Sequence, residues 1–319
     1  MKKLSVVVPC FNEQETVLLF HRTVKYCVSG IPDYETEYVF VNDGSTDNTL
    51  SRLQELKDRN NGIIVVNFSR NFGKEAALYA GLSIASGDLV AVMDADLQDP
   101  PDILPDMVGY IENEGYDVVY TRRRNRDGEP PVRSFFSRLF YKAINRMSEV
   151  EIIDGARDYR VMRRAVVESI LSLQEKCRFS KGLFMWVGFR SKLIEFDHRD
   201  RAAGTTKWSF RKLFLYAVEG IVSFTTIPLR IASFLGIGIS FFSFLFLIYI
   251  VIKNTIFKNP VSGWASMVSI VLFLGGIQLT VLGIIGEYIG HIFHEVKSRP
   301  LFVIRDIYRS EDVPKKEES

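Results

Sequence analysis

The chain has 319 residues, a formal net charge of +2 and three cysteines. So even a balance leaves no electrostatic footprint for nucleic acid. Cys10, Cys27 and Cys177 form neither a C-x-x-C pair nor a Cys/His cluster with zinc spacing, so they read as reduced thiols.

Lys2 and Lys3 open the chain with no cleavable apolar segment behind them, so the soluble part is expected to stay in the cytoplasm. Apolar β-branched runs then recur at 4–9, 38–42, 63–68, 89–94 and 118–121. Helix-like segments at 13–28, 47–59, 74–85 and 103–113 separate them. This alternation predicts an α/β fold with a mostly parallel sheet, whose ligands sit at the carboxyl ends of the strands. Polar clusters fall at those ends: Pro9-Cys10-Phe11-Asn12-Glu13, Asn42-Asp43-Gly44-Ser45-Thr46-Asp47, Ser69-Arg70-Asn71-Phe72-Gly73-Lys74 and Asp94-Ala95-Asp96. One such cluster alone is ordinary turn and cap chemistry. Four along one edge read as a cleft.

Asp94 and Asp96 are its chemical centre. Two carboxylates this close repel unless a cation joins them. Mg²⁺ or Mn²⁺ takes hard oxygen ligands and tends to bridge substrate phosphates. A diphosphate leaving group needs that neutralisation.

Beyond the fifth strand come Thr121-Arg122-Arg123-Arg124 and Arg133-x-x-x-Ser137, then Asp154-Gly155-Ala156-Arg157-Asp158-Tyr159-Arg160, then a basic loop from Arg199 to Trp208. Guanidinium groups suit a phosphate approached bidentately, although an arginine run can also be a solvated loop. Segment 209–226 has apolar residues at near-helical spacing with Arg211, Lys212 and Glu219 among them, and reads as a helix lying in a membrane interface. Residues 231–252 and 262–286 carry no charge, and each is long enough to cross a hydrocarbon core. Their short connection makes them a hairpin over 227–293. Lys and Arg are denser on its outer flanks, which predicts cytoplasmic termini and a cytoplasmic tail over 294–319. His21, His198, His291 and His294 show no ligand spacing and read as structural.

Taken in order, V-V-V-P-C-F-N-E, V-N-D-G-S-T-D, S-R-N-F-G-K and D-A-D-L-Q-D-P-P resemble family 2 glycosyltransferases of the dolichyl-phosphate mannose synthase type. With the hairpin added, the chain is similar to the bacterial polyprenyl-phosphate glucosyltransferase branch. The resemblance implies a GT-A nucleotide-binding domain over 1–208, an interfacial helix over 209–226 and a transmembrane hairpin with helices at 231–252 and 263–286. It implies a nucleotide pocket from Pro9, Glu13, Asn42, Asp43, Lys74, Asp94 and Gln98. Asp94 and Asp96 would hold Mg²⁺ or Mn²⁺. Arg122, Arg133 and Ser137 would bind the lipid phosphate, Asp158 would be the active-site carboxylate, and Arg201 and Lys207 would neutralise the leaving group.

The implied reaction is inverting transfer of a hexose, glucose from UDP-glucose first, to polyprenyl (undecaprenyl) phosphate in the plasma membrane. UDP-N-acetylglucosamine, UDP-galactose and GDP-mannose are the alternative donors. The implied partners are membrane lipid, a second copy through the transmembrane region, a flippase and a downstream lipid-dependent glycosyltransferase. Two rival readings are a processive polysaccharide synthase and a non-catalytic scaffold. The first lacks its Q-x-x-R-W run here, and the intact Asp94, Asp96, Arg201 and Lys207 argue against the second.

Overall fold

A computed structural model describes residues 1–124, 145–146, 153, 155–173, 175–176, 178–197, 225–257 and 263–310. In chain order the first half is β1 (Lys2–Cys10), α1 (Val17–Val28), β2 (Tyr34–Asn42), α2 (Thr49–Arg59), β3 (Ile63–Phe68), α3 (Lys74–Ile84), β4 (Leu89–Val92), a 3-10 turn at Pro101–Ile103, α4 (Leu104–Glu114) and β5 (Val118–Arg123). These match the sequence-derived elements, with edges moved for local reasons. α1 starts four residues late because Asn12 takes a left-handed φ of 56° and Glu13 spends its amide on Thr49 Oγ1 at 2.8 Å. α4 follows a 3-10 turn because Pro100 and Pro101 have no N–H to give. β4 stops at Val92, which releases Asp94 from the ladder.

The remaining elements are β6 (Ala156–Arg163), α5 (Arg164–Ser172), α6 (Ser180–Trp186), β7 (Ser191–Phe196), α7 (Ile227–Phe257), α8 (Trp264–Val296) and β8 (Ile304–Arg309). Among the described residues the strands form one sheet in the order β7-β5-β6-β4-β1-β2-β3-β8. β1 pairs in parallel with both β2 and β4, and β2 with β3, so four carboxyl ends share one edge. β6 runs antiparallel between β4 and β5 and closes that edge with residues 156–160.

The period of two in β1 and β2 divides the core. Leu4, Val6, Val8 and Phe40 face α1, α2 and α4, with Phe20, Leu53 and Met107 packed against them. Val7, Val39 and Val41 face α3 and α5. Each fully buried large side chain contributes about 1.5–3 kcal/mol. This two-sided burial fixes the register, and with it the order of the polar loops along the edge.

α7 and α8 differ from the rest. The apolar stretches Ile227–Ile250 and Phe273–Val296 are long enough to span a membrane, with 6% and 0% of each buried within the chain. A soluble core helix would be mostly buried; these two expose their apolar faces and are long and apolar enough to cross a membrane. Beyond α8 the chain returns to the sheet, where β8 pairs antiparallel with β3. This strand lies within the span 294–319 expected as a tail, and the alternation of Ile304–Arg309 on the open edge of β3 makes it part of the sheet.

Candidate active site

The loops at the shared edge are tied to one another. Asn12 Oδ1 accepts from the Thr46 amide at 2.8 Å, and the Asn12 amide donates to Ser45 Oγ at 3.0 Å. Asp43 accepts the amides of Phe72 at 2.6 Å and Gly73 at 3.0 Å. The β2 loop thereby positions the residue before Lys74. Gly44 has φ 61°, and a Cβ there would lie 2.3 Å from the Arg70 carbonyl carbon, so this crossing of two loops requires glycine. Asn42 is buried, and its amide donates to Asn67 Oδ1 at 2.8 Å. Pro9, one residue before the end of β1, pairs with Val41, and Glu13 accepts from Thr16 Oγ1 at 2.7 Å.

Lys74, the first residue of α3, reaches both acids of the cleft. Its Nζ lies 2.6 Å from Asp94 and 2.5 Å from Asp158. Asp158 enters from β6, two residues beyond the Val92–Arg160 pairing, so the antiparallel strand places it across from Asp94. Burial works to raise the Asp158 pKa. Lys74, Lys181 and Arg160 outweigh burial and hold it well below the usual carboxylate range. In turn, the two carboxylates raise Lys74 above an ordinary lysine despite burial.

Asp96 sits on a strained turn. Leu97 has φ 56°, a left-handed conformation that costs a non-glycine residue about 1–3 kcal/mol. The strain lets the Gln98 amide reach back to Asp96 Oδ1 at 3.1 Å. Below the turn, Asp99 is buried and accepts from Arg157 Nε at 2.8 Å. This pair fastens the Asp94–Asp96 loop to β6 next to Asp158.

Residues 5–171 match the model of the glycosyl transferase family 2 domain. An uncharacterized glycosyltransferase of Synechocystis sp. is 44% identical over 98% of this chain and 98% of its own. The chain belongs to glycosyl transferase family 2. A Shigella flexneri relative named as a prophage-derived bactoprenol glucosyl transferase is 41% identical over 96% of this chain and 99% of its own. A solved glucosyl-3-phosphoglycerate synthase from Mycobacterium tuberculosis aligns with 69% of this chain and 78% of its own, at TM-score 0.46 and 21% identity.

In this family 2 glycosyltransferase the mixed, mostly parallel sheet is the expected GT-A arrangement. Lys74 brings Asp94 and Asp158 together, and Asp96 lies on the adjoining turn, bonded to the Gln98 amide. Arg122 lies at the end of β5 with its guanidinium on Glu195 of β7. Arg133, Ser137, Arg201 and Lys207 lie outside the described residues, as does most of the interfacial helix.

Two participants were missed in the sequence. Lys181 adds positive charge beside Asp158. Glu75 accepts from the amide and hydroxyl of Ser180, which binds the first turn of α3 to α6. Nothing at the level of spacing pointed to either, because α3 and α6 are a hundred residues apart.

Among the described residues no three His, Cys, Asp or Glu side chains converge as a closed metal cage. The donor set still fits one kind of ion. Two carboxylates on one turn leave room for substrate oxygens, as Mg²⁺ and Mn²⁺ prefer.

Proposed function

We propose that this glycosyltransferase moves glucose from UDP-glucose to a polyprenyl phosphate at the cytoplasmic face of a membrane. The observation that carries this reading is the pairing, in one chain, of an Asp94–Lys74–Asp158 cleft with two lipid-facing helices. The bactoprenol glucosyl transferase name of the Shigella relative, which matches over nearly its whole length, supports the sugar and the acceptor.

The chain's own residues have separable tasks. Asp43 holds the loop that aims Lys74. Pro9, Glu13 and Gln98 lie along the same edge, where a nucleotide would rest, and Asn42 supports them from inside the sheet. When bound, Mg²⁺ or Mn²⁺ at Asp94 and Asp96 supplies neutralisation of the diphosphate leaving group. Asp158 stays ionised through the neutral pH range and is therefore a poor proton acceptor. No base is needed, because a phosphate monoester with a second pKa of ~6 is already a nucleophile at pH 7. Asp158 positions Lys74 and the sugar hydroxyls instead.

Arg122, with Arg133 and Ser137, would receive the lipid phosphate, and Arg201 with Lys207 would cover the diphosphate. Attack from the face opposite the leaving group gives a β-linked product from an α-linked donor. Both termini are read as cytoplasmic, with the α7–α8 connection on the far side. The return of β8 to the catalytic sheet supports this, since it brings both ends of the hairpin back to one domain. Donor competition tests the sugar: UDP-glucose should displace bound UDP more tightly than UDP-N-acetylglucosamine or GDP-mannose. Equal displacement by GDP-mannose would overturn the choice.

A further inference from the structure

A cavity of about 630 Å³ lies between the catalytic domain and the last turns of α8. Its polar lining includes Glu75, Lys176, Arg178, His291, His294 and Arg299. That volume is ample for a phosphate headgroup with the first isoprene units behind it. The docking of α8 is specific. Glu295 accepts the Lys176 amide at 2.6 Å, and the Tyr288 hydroxyl donates to the Thr225 carbonyl at 2.6 Å.

Two placements give the cavity meaning. The first is depth. α8 has 33 residues, about 50 Å of helix, against a hydrocarbon core of about 30 Å. From Trp264 to Gly286 the helix carries no charge; Glu287, His291 and His294 follow. The apolar window Phe273–Val296 runs past this point; centring the uncharged part, Trp264–Gly286, in the core instead sets the cavity at headgroup level. The second is adjacency. Lys74 touches Asp94 and Asp158 on one side, while its neighbour Glu75 lines the cavity on the other. Glu75 is itself held by the Ser180 amide and hydroxyl at the start of α6.

We propose that this cavity is the port through which a phosphate monoester on an apolar chain passes from the membrane to the cleft. Lys176, Arg178 and Arg299 outnumber Glu75 and Glu287 at its lining, which favours an anion. Gly286 and Gly290 form its membrane side, and a Cβ at either meets nothing within 4 Å. A larger side chain at either position can therefore start without a Cβ clash and take up free volume of the cavity. This inference rests on the lipid-phosphate reading above and adds the route.

The test compares two acceptors in the full-length protein: undecaprenyl phosphate in phosphatidylcholine vesicles, and water-soluble geranyl phosphate. Gly290→Phe should raise the apparent KM for the vesicle-borne acceptor about tenfold or more, a loss of binding rather than of chemistry. Its KM for geranyl phosphate and for the sugar nucleotide should stay within about twofold of wild type. Arg299→Glu should repeat the pattern by charge rather than bulk. An unchanged vesicle KM in both variants, or equal loss with both acceptors, would overturn the port. A wild-type protein that glycosylates neither acceptor would overturn the proposed function itself.

Discussion

Arg157→Leu should destabilise the chain in a way that depends on pH. Arg157 is the partner of Asp99, whose other carboxylate oxygen is buried without a hydrogen bond. Burial already raises the Asp99 pKa, even with Arg157 beside it. Removing one member of such a pair typically costs about 3–5 kcal/mol, because the survivor is left charged and dry. Asp99 can escape by taking up a proton. At pH 7 that costs about 4 kcal/mol, given an unfolded pKa of about 3.9, which caps the loss. In the variant the folded-state pKa lies above the unfolded one, so the deficit is largest at neutral pH and shrinks on acidification. At pH 5 the same cap falls to about 1.5 kcal/mol. Replacing both residues, Asp99→Leu with Arg157→Leu, should recover most of the loss, since an apolar pair needs no desolvation of charge. Urea unfolding of the detergent-solubilised chain, followed by near-ultraviolet circular dichroism at pH 5 and 7, gives these differences. A loss below about 1 kcal/mol that is flat with pH would refute the reasoning.

Three further outcomes follow from the same geometry. Lys74→Met should cut transfer about tenfold to a hundredfold, the worth of a charge-assisted contact; initial rates on the fraction that melting curves show to be folded give the effect on transfer alone. His21 is buried and its pKa is lowered to about 4, by burial first and then by Lys25. Its folded pKa is depressed, so its contribution is intact above pH 6.5 and falls away between pH 6.5 and 4, by about 3 kcal/mol; melting curves across that range should flatten in His21→Phe. Lys258→Cys in intact cells should react with a membrane-impermeant maleimide, whereas a cysteine placed at Ser310 should not.

Much of the cleft was legible because its residues sit in short runs at strand ends. Asp94-Ala95-Asp96 and the loop from Asn42 announce themselves through spacing, and the parallel ladder then aligns them. β6 was not legible. Ala156–Arg163 contains four charged side chains in eight residues, a pattern that reads as solvated loop. It is a strand because Arg160 stacks on Phe184 at 3.6 Å and Arg157 finds Asp99, partners far away in sequence. β8 escapes for the opposite reason: Ile304–Arg309 alternates as an edge strand should, but it directly follows a long apolar helix, where a tail is the simpler expectation. The cavity beside α8 was illegible in principle, since its lining joins Lys176 and Arg178 to His291 and His294, more than a hundred residues later in the chain.

The most direct measurement is transfer of radiolabelled glucose from UDP-glucose into organic-extractable lipid by the purified chain with undecaprenyl phosphate. The account requires label in the lipid phase that depends on Mg²⁺ or Mn²⁺, disappears in Asp94→Asn and Asp158→Asn, and carries a β-glucosyl phosphate linkage. Undiminished lipid label in Asp94→Asn, or label released only as free glucose, would contradict it.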